Sequence, residues 1–288
     1  MIVDITGKKR YKVGLHIHTT LSDGAKTPEE VAAIYRAAGY DAIALTDHWV
    51  AGMGGSMDGL TVLPGCEYNT PENGGEKGVY HVLGIGYRQA PVLSYDAGVQ
   101  EIIDGIHAMG GMAILAHPAW SLNDPAIVAG LHGIDATEIY NTVSGLHASN
   151  RPYSGEFVDL LADRGVILPL TAADDSHYYD GDETVAYVMV AAEDGSQEAL
   201  MDALQSGDFY ATQGPEVHIR REGDRICVDC SPAVRVSFYS NIVWTAERNQ
   251  TGEALTAATY PIHRGEFFVR AEVTDADGRV GYSQILRI

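Results

Sequence analysis

The fold class is best predicted from residues 15–48, which have the sequence LHIHTTLSDGAKTPEEVAAIYRAAGYDAIALTDH. Two short apolar runs in this stretch are typical of strands, and the segment between them has the periodicity of an amphipathic helix. Thr27 and Glu30 match a capping box, Pro28 takes the first helical position, and Gly39 follows the last turn. The stretch is therefore predicted to be a strand–helix–strand unit.

Four ionisable side chains lie close to the ends of these two predicted strands. His16 and His18 are two residues apart in the first strand, so both imidazoles face the same side. Asp23 follows in a turn, and His48 follows the second strand. One histidine at a strand end is usually structural, but three histidines and an aspartate on adjacent strand ends indicate a metal site. Parallel α/β folds place their active sites at this edge.

The alternation of strand and helix continues to about residue 208. Helices are predicted at 99–109, 155–164 and 196–207, each between apolar runs that are typical of strands. Ionisable residues again mark the strands, with Glu138 inside one and the others at strand ends: Glu67, His81, His117, Asp175 and His177. This order predicts a parallel α/β barrel or sheet.

The pattern changes near residue 209, where short alternating runs and turn sequences replace the helix signals. We predict a small antiparallel, sandwich-like β domain over residues 209–288, after a barrel domain over residues 1–208. Cys227 and Cys230 form a lone CxxC motif in this region, which is a weak zinc signal without a second pair of ligands.

Composition limits the classes of partner. The 288-residue chain has 39 acidic and 19 basic residues, a formal net charge of −20, which disfavours binding to a nucleic-acid polymer. A small anionic substrate is compatible with this charge if bound metal neutralises the site. An apolar run long enough to span a membrane and a signal peptide are both missing, so a cytoplasmic protein without a membrane partner is expected. The oligomeric state stays open.

The polar residues at the strand ends form one chemical set of six imidazoles and three carboxylates. Its members are His16, His18, Asp23, His48, Glu67, His81, His117, Asp175 and His177. Imidazole and carboxylate together suit zinc, manganese or iron. Nine ligands exceed the needs of one ion, so two or three divalent ions are predicted. Glu67 is the natural bridge because a carboxylate offers two oxygens.

These residues lie in the motifs HIHTTLSDG, TDH, GCE, HVLGIG, AHP, EIYN and DDSH, between residues 13 and 177, and FYATQGP follows at 209–215. The sequence resembles the PHP (polymerase and histidinol phosphatase) superfamily, specifically its metal-dependent phosphoesterases with a C-terminal β extension. The resemblance implies a distorted (β/α)7 barrel with a metal cluster at its C-terminal mouth.

The resemblance also implies how the ligands are shared among the ions. His16, His18, Glu67 and Asp175 would hold one ion; Glu67, His81 and His117 a second; Asp23, His48 and His177 a third. Some members of the superfamily have histidine where this chain has Asp23, which leaves the occupancy of the third position open.

The predicted activity is hydrolysis of a small phosphomonoester or nucleotide by metal-activated hydroxide, because metal ions lower the pKa of bound water to about 7. Glu67, Asp175 and His177 are the predicted catalytic residues, and Ser176 is expected to face away from them. Two alternatives stay open: hydrolysis of a non-phosphate ester or carbamate, and a non-catalytic metal-binding or interaction module.

Other residues near the motifs have weaker predicted roles. Residues 70–78 are a candidate lid, with Lys77 as a candidate anion contact; Arg88 and Arg151 are the other basic candidates. Packing at the mouth, or contact with substrate, is expected for Trp49, Tyr68, Asn69, Tyr140 and Tyr178.

Overall fold

A computed structural model describes residues 1–71, 78–146 and 149–288. The predicted lid and Lys77 fall largely on residues 72–77, outside the described part of the chain. The helices are α1 (Pro28–Ala37), α2 (Val99–Ala108), α3 (Pro125–Val128), α4 (Gly155–Asp163) and α5 (Gln197–Ser206). Thr27 caps α1 as predicted, since its hydroxyl accepts from Glu30 N and the Glu30 carboxylate accepts from Thr27 N.

The strands of the first two thirds of the chain are β1 (Ile2–Val3), β2 (Lys9–Gly14), β3 (Ala42–Ala44), β4 (Gly55–Met57), β5 (Leu60–Leu63), β6 (Gly65–Asn69), β7 (His81–Ile85), β8 (Met112–Leu115), β9 (Ala136–Asn141), β10 (Leu170–Ala173) and β11 (Tyr187–Val190). The remaining strands are β12 (Phe209–Thr212), β13 (Val217–Glu222), β14 (Arg225–Ser240), β15 (Asn249–Pro261), β16 (Phe268–Thr274), β17 (Val280–Tyr282) and β18 (Leu286–Arg287).

These strands form two sheets. One has the order β10-β9-β8-β7-β6, and the other follows the path β13-β14-β16-β17-β12-β11-β2-β3-β5-β4, with β1, β15 and β18 at its sides. Strands β2, β3 and β5 are parallel to one another, as are β8, β9 and β10. Isolated bridges join the two sheets, among them the bridge between Ile17 and Ser176 and the bridge between His48 and Glu67.

The mixed α/β class is confirmed, but the specific (β/α)7 barrel is not, because regular strand pairing does not close the described sheets into one ring. Strand β7 is antiparallel to both β6 and β8. The connection over residues 70–80 is shorter than the dozen or so residues that a parallel crossover needs. The reversal has a consequence for the site: the start of β7, with His81, lies at the same edge as the ends of β6 and β8.

The region after residue 209 is antiparallel, as predicted. Strands β13 to β18 pair only in antiparallel fashion and enclose an apolar cluster that contains Ile226, Phe238 and Tyr260. The boundary at 208/209 stays a prediction, since β12 pairs with both β11 and β17, and Phe209 packs in the core of the preceding α/β region. Among the described residues, the helices are all too short or too polar to cross a membrane.

Candidate metal centre

The segments that follow three strands are hydrogen-bonded to one another at the edge where the predicted ligands lie. Asp175 N donates to His16 O (2.9 Å), and His18 N donates to Ser176 O (3.0 Å). Ile17, between the two histidines, is bonded on its other side to Thr46 through both backbone and hydroxyl groups. The segments after β2, β3 and β10 are therefore held in one register, which brings their polar side chains together.

The first predicted ligand set is assembled in the structure. His16 Nε2 lies 3.2 Å from Glu67 Oε2 and 3.1 Å from Asp175 Oδ1. His18 Nε2 lies 3.0 and 3.2 Å from the same two oxygens. All four residues are buried, and one ligand atom from each lies within 4.8 Å of the others. This spacing matches atoms that surround one ion.

The second set is assembled with a different membership. His81 Nδ1 lies 2.7 Å from Glu67 Oε1, and His48 Nδ1 lies 3.3 Å from Glu67 Oε2. One ligand atom from each of His48, Glu67 and His81 lies within 4.8 Å of the others. His117 is adjacent, with Nε2 3.4 Å from Glu67 Oε1 and 3.7 Å from Asp175 Oδ2. His48 thus joins a set from which the resemblance had left it out.

The third set also gains a member. His18, Asp23, His48 and His177 have ligand atoms within 4.8 Å of one another. Asp23 lies at the centre, 3.5 Å from both His18 Nδ1 and His177 Nε2, and 3.8 Å from His48 Nε2. The Asp23 side chain is 54% exposed, whereas that of His18 is fully buried. This set is therefore the one closest to solvent.

The donor atoms fit a cation better than they fit one another. His16 Nε2, His18 Nε2, His48 Nδ1 and Asp175 Oδ1 are buried and lack a hydrogen-bond partner among the described residues. Buried polar atoms are normally hydrogen-bonded, so four such atoms without a partner in one cluster indicate that a ligand belongs between them. Nitrogen and carboxylate oxygen donors at this spacing suit a divalent metal ion.

The electrostatics lead to the same conclusion. Burial alone would raise the pKa of Glu67, but the neighbouring His16 and His81 hold that pKa well below its ordinary value. Burial would lower the pKa of His16, but Asp175, Glu67 and Glu138 raise it well above its ordinary value. The buried carboxylates thus require positive charge beside them, which a divalent ion can supply.

Glu138 is a buried partner that the sequence analysis left out of the site. Its Oε1 accepts from His16 Nδ1 at 2.8 Å, and its Oε2 accepts from His117 N at 2.9 Å and from Asn141 Nδ2 at 2.8 Å. This contact directs His16 Nε2 toward Glu67 and Asp175. The sequence signal for Glu138 was its position inside a predicted buried strand, since an acidic residue is rarely buried without a partner.

Two further carboxylates hold the backbone around the site. Asp47 accepts from Thr19 N (2.7 Å) and Ser22 N (3.1 Å), and so shapes the turn before Asp23. Asp174 accepts from three successive amides, at Thr184, Val185 and Ala186, and burial raises its pKa to about 6. In the pairs 47–48 and 174–175, therefore, one residue faces the cluster and the other supports a loop.

Ser176 faces away from the cluster, as expected, although it lies past the end of β10 and follows Asp175, whose φ is 55°. Its hydroxyl lies 3.0 Å from the hydroxyl of Tyr35 on α1, and the residue is fully buried. The predicted ligands before and after it in the chain point the other way, into the cluster.

Comparisons with known proteins test the fold. Models of known protein families gave no match, and neither did the curated proteins. Among solved structures, the chain is similar to a two-domain protein from Bacteroides vulgatus ATCC 8482 that contains a predicted PHP-like metal-dependent phosphoesterase. The two share 16% sequence identity with a TM-score of 0.57 over 99% of this chain and 98% of that one.

The fold is PHP-like. At the level of the fold, this confirms the resemblance drawn from the motifs. Two partial matches have lower scores: an amidohydrolase from Chromobacterium violaceum (17% identity, 59% of this chain and 89% of that one, TM-score 0.45) and a protein from Bifidobacterium adolescentis ATCC 15703 assigned as a metal-dependent phosphoesterase (16%, 57% and 87%, TM-score 0.39).

A cavity of about 740 Å³ opens over the three sets in this PHP-like fold. Its wall includes predicted ligands from all three sets, and Asn69 and Tyr178 from the predicted mouth residues. Trp49 instead packs on Tyr68 and donates from Nε1 to Asn69 Oδ1 at 2.8 Å. Trp120, which the sequence analysis did not single out, also lines the cavity. Arg88 and Arg151 are exposed and do not belong to the wall.

The three cysteines lie away from this cavity. Cys66 packs in an apolar cluster with Tyr68 and Val82. Cys227 and Cys230 both lie in β14 and are free thiols. Residues three apart in a strand face opposite sides, so these two are poorly placed to share one ion. This geometry agrees with the weak zinc signal of the motif.

Proposed function

We propose that this chain is a metal-dependent hydrolase that cleaves a small phosphomonoester or nucleotide. The observation that carries the proposal is the position of Glu67, whose carboxylate lies within 3.4 Å of imidazole nitrogens from five histidines: His16, His18, His48, His81 and His117. A structural carboxylate needs one or two partners. Five imidazoles around one buried carboxylate, with Asp175 beside them, are typical of a multinuclear metal centre.

Two or three divalent ions, of zinc, manganese or iron, would be held by the nine predicted ligands. His16, His18, Glu67 and Asp175 would hold one, Glu67 with His81 and His117 a second, and Asp23 with His177 a third. His48 would serve either the second or the third ion, because a neutral imidazole has one lone pair. Such ions lower the pKa of coordinated water and neutralise phosphoryl oxygens.

The proposed roles of the catalytic residues follow from their contacts. Glu67 and Asp175 are the buried negative charges that draw cations to the inner end of the cavity. His177 has its Nδ1 2.7 Å from Asp175 O, which favours a proton on Nδ1 and leaves the Nε2 lone pair for the site. In the overall reaction a water oxygen bonds to phosphorus, the bond from phosphorus to the ester oxygen breaks, and the alcohol leaves with a proton.

We also propose that the two sheets act as one distorted (β/α)7 barrel, with residues 1–208 as the catalytic domain and 209–288 as the β domain. The bridges at Ile17–Ser176 and His48–Glu67 support this, because they join the sheets at the edge that carries the ligands. The substrate would be a small anion rather than a nucleic-acid polymer, in keeping with the net charge of −20.

The test is metal content followed by an activity screen. Protein produced in metal-supplemented medium should contain at least two ions per chain by elemental analysis, and Glu67→Gln should contain fewer. The metal-loaded protein should hydrolyse phosphomonoesters in preference to carboxyl esters and carbamates. One ion or fewer would contradict the multinuclear centre, and preference for a carboxyl ester or carbamate would contradict the phosphoester assignment.

A matched pair of variants in neighbouring positions sharpens the test. His177→Ala should lose activity and metal, because it removes a ligand. Ser176→Ala should retain most of both, since its hydroxyl contacts Tyr35 on the far side of the strand. A single turnover in heavy-oxygen water should place the label directly in the released phosphate. A trapped phosphoenzyme would contradict direct attack by water.

A further inference from the structure

Trp120 is a large, partly exposed side chain beside the candidate metal centre. Its indole packs edge-to-face with His117 (ring centroids 4.9 Å apart) and His81 (5.7 Å), and 39% of the residue is exposed. The same residue lines the cavity of about 740 Å³. One part of the indole therefore covers the imidazoles of the second set, and another part forms a wall of the cavity.

The turn that carries Trp120 is stabilised by hydrogen bonds within the turn and to Ser154. Ser121 N donates to His117 O at 3.1 Å, and Asn123 N donates to Pro118 O at 3.0 Å. Ala119 N donates to the hydroxyl of Ser154 at 3.2 Å. The backbone that carries the indole is thus ordered before any ligand arrives, which reduces the entropy cost of binding.

The cavity has two chemically different ends. Its inner end carries the imidazoles and carboxylates that would face a phosphoryl group, and that group occupies only a small part of the volume. The rest is bounded by the aromatic and apolar side chains Val79, Trp120, Val143, Leu146 and Tyr178, and by the polar residues Asn69, Ser144 and Ser149. The net charge of −20 favours an uncharged group there over a second anion.

We propose that this cavity takes a phosphomonoester whose leaving group carries an uncharged, planar aromatic ring, and that the ring stacks on Trp120. The proposal rests on the proposed phosphoesterase function and adds its substrate class. Stacking suits this wall because an indole presents a flat apolar surface to any aromatic ring. Trp120 is then a specificity residue that contacts substrate.

The first test compares two substrates, 1-naphthyl phosphate and glycerol 2-phosphate, with metal-loaded protein. In Trp120→Ala the ratio of kcat/KM for the naphthyl ester to that for the glycerol ester should fall roughly tenfold to a hundredfold, mainly through KM for the naphthyl ester. Differences in intrinsic reactivity cancel, because each ratio is compared with that of the unaltered protein. Trp120→Phe should restore most of the ratio.

The matched control is Trp244→Ala, which removes an exposed tryptophan from the loop between β14 and β15 that does not line the cavity. It should leave the ratio unchanged. If Trp120→Ala lowers kcat/KM for both substrates equally, the indole only covers His81 and His117, and the stacking proposal is wrong.

A binding measurement separates this proposal from the proposed function. Calorimetry of metal-loaded protein with 1-naphthylphosphonate and methylphosphonate, which cannot be hydrolysed, should show tighter binding of the naphthyl compound, and Trp120→Ala should remove that preference. If no phosphoester is hydrolysed, the phosphoesterase function fails, and the phosphonate preference alone then decides whether Trp120 selects aromatic ligands. Equal affinity for the two phosphonates in the unaltered protein would overturn the proposal.

Discussion

Single buried carboxylates hold several neighbouring side chains in place in this protein, because each lies close to several nitrogen atoms at once. Glu67 is surrounded by five imidazoles, while Glu138 lies one layer further out and accepts from His16, His117 and Asn141. The outer carboxylate is as buried as the inner one. Such outer partners set the orientation of metal-binding histidines.

Glu138→Gln should weaken metal binding about tenfold to a hundredfold, because a glutamine has one acceptor oxygen for three donors and turns its amide toward one of them. The dissociation constant can be measured by competition with a chelator. Glu198→Gln, an exposed change on α5, is the matched control and should bind metal normally. Unaltered affinity in Glu138→Gln would show that His16 keeps its orientation without this carboxylate.

Asp4 supports a prediction about acid stability. Its buried carboxylate accepts from the Thr6 hydroxyl, Arg10 Nε and Lys8 N, with His218 Nε2 3.8 Å away. Burial alone would raise the pKa of Asp4, but these hydrogen bonds lower it to about 2. A carboxyl with a lowered pKa stabilises the folded state above its ordinary pKa near 4, and this contribution is lost as the pH falls through the folded value.

Asp4→Asn should therefore lower the free energy of unfolding at pH 7 by about 2 kcal/mol. The difference from the unaltered protein should narrow as the pH falls from 4 toward 2. Urea unfolding at a series of pH values measures both effects, and the exposed Asp202→Asn on α5 serves as the control. A deficit that does not change with pH would mean that the charge of Asp4 is not the source of the stability.

Loops between strand and helix are the elements that complete the site. The turn over residues 19–24 connects the histidine pair to α1, and Gly24 packs so closely on the backbone of His18 that a Cβ would lie 2.5 Å from it. Asp47 accepts from two amides and two hydroxyls of this turn, at Thr19 and Ser22. The position of Asp23 therefore depends on a residue of a different loop.

Asp47→Asn should weaken metal binding at the third set, which contains Asp23, by about tenfold. An amide group cannot accept from all four donors, so the turn loosens. Elemental analysis after dialysis should then find fewer metal ions than in the unaltered protein, while the ions at the first and second sets remain. Asp202→Asn again provides the control. Loss of every ion would contradict a local effect on the turn.

At the scale of the whole molecule, a buried ion cluster joins the β region to the α/β region. Arg270 in β16 is 1% exposed and makes two hydrogen bonds to Asp159 of α4, at 2.7 and 2.9 Å. The guanidinium also contacts Glu272 and lies 4.1 Å from the ring centre of Tyr239. Contacts of this kind fix the two regions relative to each other.

Arg270→Met should lower the free energy of unfolding by about 3 kcal/mol, because it leaves the buried carboxylate of Glu272 and the partly exposed carboxylate of Asp159 without their cation. Denaturant unfolding measures this change. Arg235→Met alters an exposed arginine on the adjacent strand β14 and should cost much less. A loss below about 1 kcal/mol would mean that water reaches the two carboxylates once the arginine is gone.

The local elements and the ligand types were predictable because their causes are local. The cap of α1 depends on Thr27 and Glu30, three residues apart, and the two-residue spacing of His16 and His18 is enough to predict that both imidazoles face one side. The PHP-like fold followed from motifs in a fixed order. These signals are short in sequence, so they do not require knowledge of which strands become neighbours.

Strand direction and the sharing of ligands were decided by tertiary structure. The reversal of β7 depends on a connection too short to cross the sheet, and it places His81 from a strand start beside ligands from strand ends. His48 joins two sets and Glu138 supports His16 across 122 residues because separate strand ends converge at one edge. Trp120 becomes a cavity wall for the same reason: a side chain's neighbours in space are set by packing between distant segments, which spacing along the chain does not encode.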